Sequence, residues 1–154
     1  KPVLRGLTAG DIIAKIPELR EKVGDRAIMR ALHFIAENDR VAAQVAALEA
    51  DDTKAFLDGV IASGNSSYKY LQNVFTTKNV REQGLSLALC VTEYVTANWG
   101  GAFRVHGGGF AGTIQAFVPL AKVDAFRAGM DALLGESATK VMYIRPVGGC
   151  TIAE

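Results

Sequence analysis

The residues best suited to chemistry lie in one decapeptide, Arg104-Val105-His106-Gly107-Gly108-Gly109-Phe110-Ala111-Gly112-Thr113. Four glycines within six positions strip the backbone of Cβ atoms, so it can take positive φ and approach a ligand closely. Holding so many glycines still is entropically costly, which points to a geometric task for the loop. The spacing excludes two common phosphate loops. No Lys-Ser or Lys-Thr follows, as a Walker A loop needs. The segment after the glycines reads as a strand, where a dinucleotide fingerprint requires a helix. Composition alone leaves two readings open, a tight hairpin turn and a ligand loop.

The flanking polar residues also carry two readings each. Arg104 can steady a phosphate or a neighbouring loop, or form a structural ion pair. His106 alternates with Phe103 and Val105, so it points to the less apolar face, either as a polar contact to a ligand or as a surface histidine. Upstream, His33 and Glu37 are an i, i+4 pair and Glu37 and Arg40 an i, i+3 pair on one helix. That spacing predicts a tie between helices, with His33 as a base the sharper alternative. Asn38 falls within the apolar arc of the same helix, and if buried it must be hydrogen-bonded. Tyr68 and Tyr70 can stack on a ligand or fill a core.

Positioning these residues takes a particular set of elements. Thr8 and Asp11 mark a short helix start, Pro17 begins another helix, and Gly24 breaks the chain. Asp25 to about Ala50 is a long helical stretch with two apolar stripes, Ile28, Leu32 and Ile35, then Phe34, Val41, Val45 and Leu48. Together they predict burial on more than one side. Asp51-Asp52 caps a helix from about Thr53 to Ala62, ended by Ser63-Gly64, with turn chemistry at Asn65-Ser66-Ser67. Tyr68–Phe75 carries no clear pattern. Asn79 to Ala97 reads as a helix with the stripe Val80, Gly84, Leu87, Val91 and Tyr94, where Gly84 would admit a neighbouring backbone.

The period then changes to two. Ala102–His106 and Ile114–Val118 alternate on either side of the glycines and predict a β-hairpin ended by Pro119. Leu120–Leu134 is an amphipathic helix closed by Gly135. A third strand fits Lys140–Arg145, and a fourth fits Cys150–Ala153. Helices, hairpin, helix, then strand predict an α+β fold, an antiparallel sheet with helices packed on one face.

The bulk numbers are compatible with this. At 154 residues, residues 1–154 fit one domain, and 49% apolar residues supply a core. A net charge of +1 without a basic run gives no footprint for nucleic acid or a membrane surface. No apolar stretch approaches the roughly 18 residues of a membrane span. Cys90 and Cys150 are far apart, without a CxxC or a nearby His, and read as free thiols of a cytoplasmic protein rather than a disulfide or metal site. The chain opens on Lys1 rather than Met, which suggests a piece of a longer one.

The stretch Arg104–Gly112 resembles the third signature motif of the galactokinase family and the wider GHMP kinase superfamily, Arg-Met-Thr-Gly-Gly/Ala-Gly-Phe-Gly-Gly. Arg104, Gly107, Gly109, Phe110 and Gly112 match it, and Gly108 is an allowed choice. Arg30-Ala31-Leu32-His33, then Glu37 and Arg40-Val41, is similar to the family's Arg-x-x-His…Glu…Arg-Val segment. Ala47-Leu48, Asp51-Asp52, Phe56, Ser63 and Ser66 continue that pattern in order. The chain departs from it at Val105 and His106 in place of Met-Thr, at Ala111 for a glycine, and at Gly64 for a common His. Lys69–Gln83 lacks the family's Tyr-x-Val-Ser and Leu-Asp pattern.

The resemblance implies the ferredoxin-like C-terminal domain of a two-half sugar kinase, with ATP and Mg²⁺ in the cleft between halves. The family's phosphate loop, catalytic Asp and sugar signature belong to the N-terminal half, and no Pro-x-x-x-Gly-Leu-x-Ser-Ser stretch occurs here. The expectation is therefore no catalytic or metal-binding residue in this chain, no cofactor bound to it alone, and its own N-terminal kinase half as partner. By the same resemblance Arg104, His106, Gly107, Gly108, Gly109, Phe110 and Gly112 form the substrate and phosphate side of the cleft, facing a sugar such as galactose. A non-catalytic sugar- or nucleotide-binding regulator of the same fold is the alternative, and a free-standing ferredoxin-like interaction domain a third.

Overall fold

The computed structural model describes residues 3–110 and 112–151. A short first helix, α1 (Ala9–Ile13), starts on a reciprocal cap. The Thr8 Oγ1 accepts from the Asp11 N–H at 3.2 Å, and the Asp11 carboxylate accepts from the Thr8 N–H at 2.8 Å. The long helix α2 (Ile16–Glu49) has Pro17 in its first turn and is interrupted at Gly24, whose φ of 75° is left-handed. Helix α3 (Thr53–Ser66) is capped by Asp52, whose carboxylate accepts from the Ala55 N–H at 2.9 Å.

Where the sequence predicts a stop at Ser63-Gly64 and a turn at Asn65–Ser67, α3 instead runs on to Ser66 and into a π-helical turn, Ser67–Leu71. Tertiary partners override the local preference for a turn. Ser63, Ser66 and Ser67 are all buried, and the first two hydrogen-bond side chains of α2. The turn ends at Gln72, which is left-handed at φ 52°.

Helix α4 (Gly84–Thr96) starts five residues later than the pattern suggests. Asn79 Oδ1 accepts from the Arg81 N–H at 3.3 Å, a local turn that competes with the helix. The buried side of α4 is also not the apolar stripe. Leu85, Ser86, Thr92 and Thr96 face inward, while Val80, Leu87 and Tyr94 are exposed and nothing approaches Gly84. The inward hydroxyls are hydrogen-bonded: Thr96 Oγ1 to the Thr92 carbonyl at 2.8 Å, Ser86 Oγ to the Val74 carbonyl at 3.4 Å. Small bonded hydroxyls can occupy a core, and hydrophobic periodicity does not register them. On α2, likewise, Ile28 is buried, but Phe34, Val41, Val45 and Leu48 stay exposed. Asn38 is exposed too, donating to the Phe34 carbonyl at 3.0 Å.

The predicted hairpin is present. Strands β1 (Ala102–Val105) and β2 (Ile114–Phe117) pair antiparallel, with Ala102 opposite Phe117 and Val105 opposite Ile114. Alternation sends Val105 and Ile114 toward Leu85 and Leu89 of α4, in one cluster with Val74 and Phe75. The opposite parity carries Arg104 and Phe117 to α3, where Phe56 meets the Phe117 ring edge-on at 5.7 Å. Helices thus meet both faces of this two-stranded ribbon, where one covered face was expected. A 3₁₀ turn, Leu120–Lys122, leads into α5 (Val123–Leu134), which closes at Gly135 and packs on α4 through Met130 and Thr92.

The predicted third strand is not formed. Lys140–Arg145 is outside any strand, with Val141, Met142, Tyr143 and Ile144 all exposed. Its run of four apolar residues has no partner strand among the described residues, and an apolar run alone makes no ladder. Cys150 and Thr151 are not strand either, and Ile152 and Ala153 lie outside the described residues. The class is α+β as read, but the ferredoxin-like layout is not formed by the described residues.

Candidate functional site

The glycine loop is held from two directions. The first is through Arg104 on β1. Glu37 and Arg40 pair along α2, and the Glu37 carboxylate also accepts from the Ser63 hydroxyl of α3. Arg104 Nη1 donates to that same Ser63 Oγ and lies 3.7 Å from Glu37 Oε1, while its Nε donates to the Val105 carbonyl at 3.1 Å. Gly64 makes this junction possible, because a Cβ there would stand 2.9 Å from the Arg104 Cβ and 3.1 Å from the Phe103 carbonyl. Four pieces of one sequence pattern, from α2, α3 and β1, meet here. Of the two readings of Arg104, the structural ion pair is the one the geometry makes.

One turn back along α2, His33 Nδ1 hydrogen-bonds with Ser66 Oγ at 2.9 Å. Burial holds the His33 imidazole below its usual 6.5, with Glu37 opposing that shift and Arg40 and Arg104 adding to it. Its partner is a serine in the next helix, so it ties α2 to α3.

The second hold is through Asn73, a residue that no sequence pattern marked. Asn73 is 2% exposed, just beyond the left-handed Gln72. Its main-chain carbonyl accepts from the Phe110 N–H, and its Nδ2 donates to the Gly108 carbonyl at 3.2 Å. Gly109 passes so close that a Cβ would fall on the Asn73 carbonyl, and its φ of 77° is left-handed as well. Glycine is required at this position for both reasons. Two buried side-chain oxygens in this same segment, Asn73 Oδ1 and Ser67 Oγ, have no hydrogen-bond partner among the described residues. The available sequence signal was only a polar pair, Gln72-Asn73, ahead of the apolar Val74-Phe75 that enters the core.

Between these two holds the loop is open. A Cβ on Gly107, Gly108 or Gly112 would meet nothing within 4 Å, and Phe110 is half exposed with φ 62°. Ala111 lies outside the described residues. His106 is exposed, its N–H donating to the Thr113 carbonyl at 3.0 Å and its Nδ1 3.4 Å from Thr113 Oγ1, so it closes the neck of the hairpin. The result is a rim of main-chain groups with one side pinned and the other accessible. Tyr68 stands apart from that rim, tilted against Phe75 at 6.0 Å. It lines a hollow of about 110 Å³ with Gly64, Cys90, Glu93 and Phe103, well under the roughly 300 Å³ at which ligand pockets begin. Among the described residues no three His, Cys, Asp or Glu side chains converge as metal ligands, and no helix is long and apolar enough to cross a membrane.

Comparison with known proteins gives a consistent answer. No family model matches the chain. It is 32% identical over 124 residues to a galactokinase of Glaesserella parasuis, covering 80% of this chain and 30% of that protein. It is 30% identical over 151 residues to a galactokinase of Streptomyces coelicolor, covering 95% of this chain and 35% of that one. Among solved structures, Lactococcus lactis galactokinase complexed with galactose superposes with a TM-score of 0.62 at 24% identity, over 84% of this chain and 30% of the other. The chain spans about a third of the length of the relatives it matches.

Proposed function

Because this chain is galactokinase-like in sequence and fold, we propose that it is the C-terminal half of a cytoplasmic sugar kinase of the GHMP superfamily. In this reading the whole protein transfers the γ-phosphate of ATP to a sugar hydroxyl, and galactose is the first substrate to test. The observation that carries it is the glycine hairpin. Its tip is accessible, its flank is pinned by Asn73, and its first strand is locked by Arg104 into the motif residues of α2 and α3. A main-chain rim so rigidly backed is suited to lie against a small polar molecule whose other side is enclosed by a second lobe.

Phosphoryl transfer depends on charge and metal arranged about the γ-phosphate. By the resemblance to galactokinases, the N-terminal half would hold ATP and Mg²⁺ in this reading. This chain then contributes shape and main-chain hydrogen bonds and turns over nothing alone.

The test is ADP release from ATP with galactose, for the purified 154-residue chain and for the intact protein that contains it. Activity confined to the intact protein is the expected result. Turnover by the 154-residue chain would refute the two-half reading. Galactose binding without turnover by the intact protein would favour the regulatory relative instead.

A further inference from the structure

We infer that Asn73 is a positioning residue, setting the shape of the glycine loop on which substrate binding depends. The inference rests on the proposed function above and adds a residue from the segment in which the chain departs from the family pattern.

Asn73 makes two contacts to the loop, through different atoms and to different residues. The Nδ2 donates to the Gly108 carbonyl and the main-chain carbonyl accepts from the Phe110 N–H, so three consecutive loop residues are fixed with Gly109 pressed between them. Both partners are main-chain groups, and among the described residues no ionisable side chain hydrogen-bonds to Asn73. The next residue, Val74, belongs to the buried cluster with Leu85 and Val105. Asn73 therefore carries the rigidity of the core into the loop tip, beyond the hold of Arg104 on β1 and the neck closed by His106 and Thr113. A loop with this much glycine samples many conformations unless something outside it selects one.

The unpartnered Oδ1 supplies a discriminating test. Since only the Nδ2 end of the amide is bonded, a protonated carboxylic acid can replace it, with the O–H donating to Gly108 and the second oxygen taking the place of Oδ1. Ionised, the same group sets two acceptors against a carbonyl and pushes the loop away. Burial beside acceptors also favours the protonated form, so the change falls at a higher pH than for an ordinary Asp.

The experiment follows the backbone amide shifts of Gly107–Phe110 and hydrogen exchange at Phe110 in wild type, Asn73→Ala and Asn73→Asp. Core amides such as Leu85 and Val105 serve as controls. Asn73→Ala should lower Phe110 protection about five- to tenfold at every pH, the loss expected from one hydrogen bond, with the controls unmoved. Asn73→Asp should match wild type in acid and Asn73→Ala at neutral pH, which keeps the test informative if Asn73→Ala folds poorly. Loop and core amides that move together, or a loop that does not move in either variant, would overturn the assignment. In the intact protein, Asn73→Ala should raise the galactose KM about five- to tenfold, with kcat changed less. A displaced loop with an unchanged galactose KM would overturn its substrate role, while the loop-holding result and the kinase activity could each stand on their own measurements.

Discussion

The Arg104 guanidinium lies 3.7 Å from the Glu37 carboxylate, and the Ser63 hydroxyl is bonded to both. Three elements, α2, α3 and β1, meet at that point, and both charged side chains are about a quarter exposed. Half-buried, hydrogen-bonded pairs resist loss of one partner, because the remaining charge stays partly desolvated.

Glu37→Gln and Arg104→Ala should therefore each destabilise the chain by about 1–3 kcal/mol, seen as a lower urea midpoint. A double-mutant cycle should return a coupling of at least about 0.5 kcal/mol. Additive effects would mean that Arg104 serves something other than this junction.

The glycines of the loop should separate by position. Gly109→Val places a side chain on the Asn73 carbonyl at a left-handed φ, and Gly112→Ala meets only the backbone penalty at φ 105° in open space. Gly108→Ala meets neither a contact nor a positive φ. Thermal melts should rank the losses in that order, with about 1–3 kcal/mol or more for Gly109→Val and under about 0.5 kcal/mol for Gly108→Ala. In the intact protein Gly109→Val should also depress turnover. Equal effects at all three positions would reduce the loop to a simple turn.

Gly64 stands where the motif that the chain resembles commonly has His, and here it admits β1 against α3. Gly64→Ala should cost about 1–3 kcal/mol through overpacking against Arg104 and Phe103. An unchanged melt would show that the strand yields without penalty.

The pH dependence has a definite sign. His33 is held below its usual 6.5 by burial, so the unfolded chain takes up the proton first as pH falls. Its contribution to stability is intact above about 6.5 and is lost as pH drops through the lower, folded value. The urea midpoint of wild type should fall over that interval, and His33→Asn, which cannot titrate there, should flatten the fall. The same slope in both proteins would remove His33 as its source.

The sequence alone determined what depends on near neighbours along the chain. The capped starts of α1 and α3, the break at Gly24, the hairpin around the glycines and the close of α5 at Gly135 follow from local sterics, capping and period-two alternation. The order of motif residues was also enough to place the chain among galactokinase-like sequences. Tertiary structure decided which surfaces are covered. The apolar stripes of Phe34, Val41, Val45 and Leu48 and of Leu87 and Tyr94 look like core in one dimension, yet they stay exposed, and on α4 Ser86, Thr92 and Thr96 took the inward side beside Leu85 because their hydroxyls found partners. It also decided that Lys140–Arg145 pairs with no strand among the described residues, since a ladder needs a neighbour that an apolar run cannot supply. Asn73 shows the same limit. A single amide acquires its role only when folding brings residues 73 and 108 within 3.2 Å, and no spacing along the chain encodes that approach.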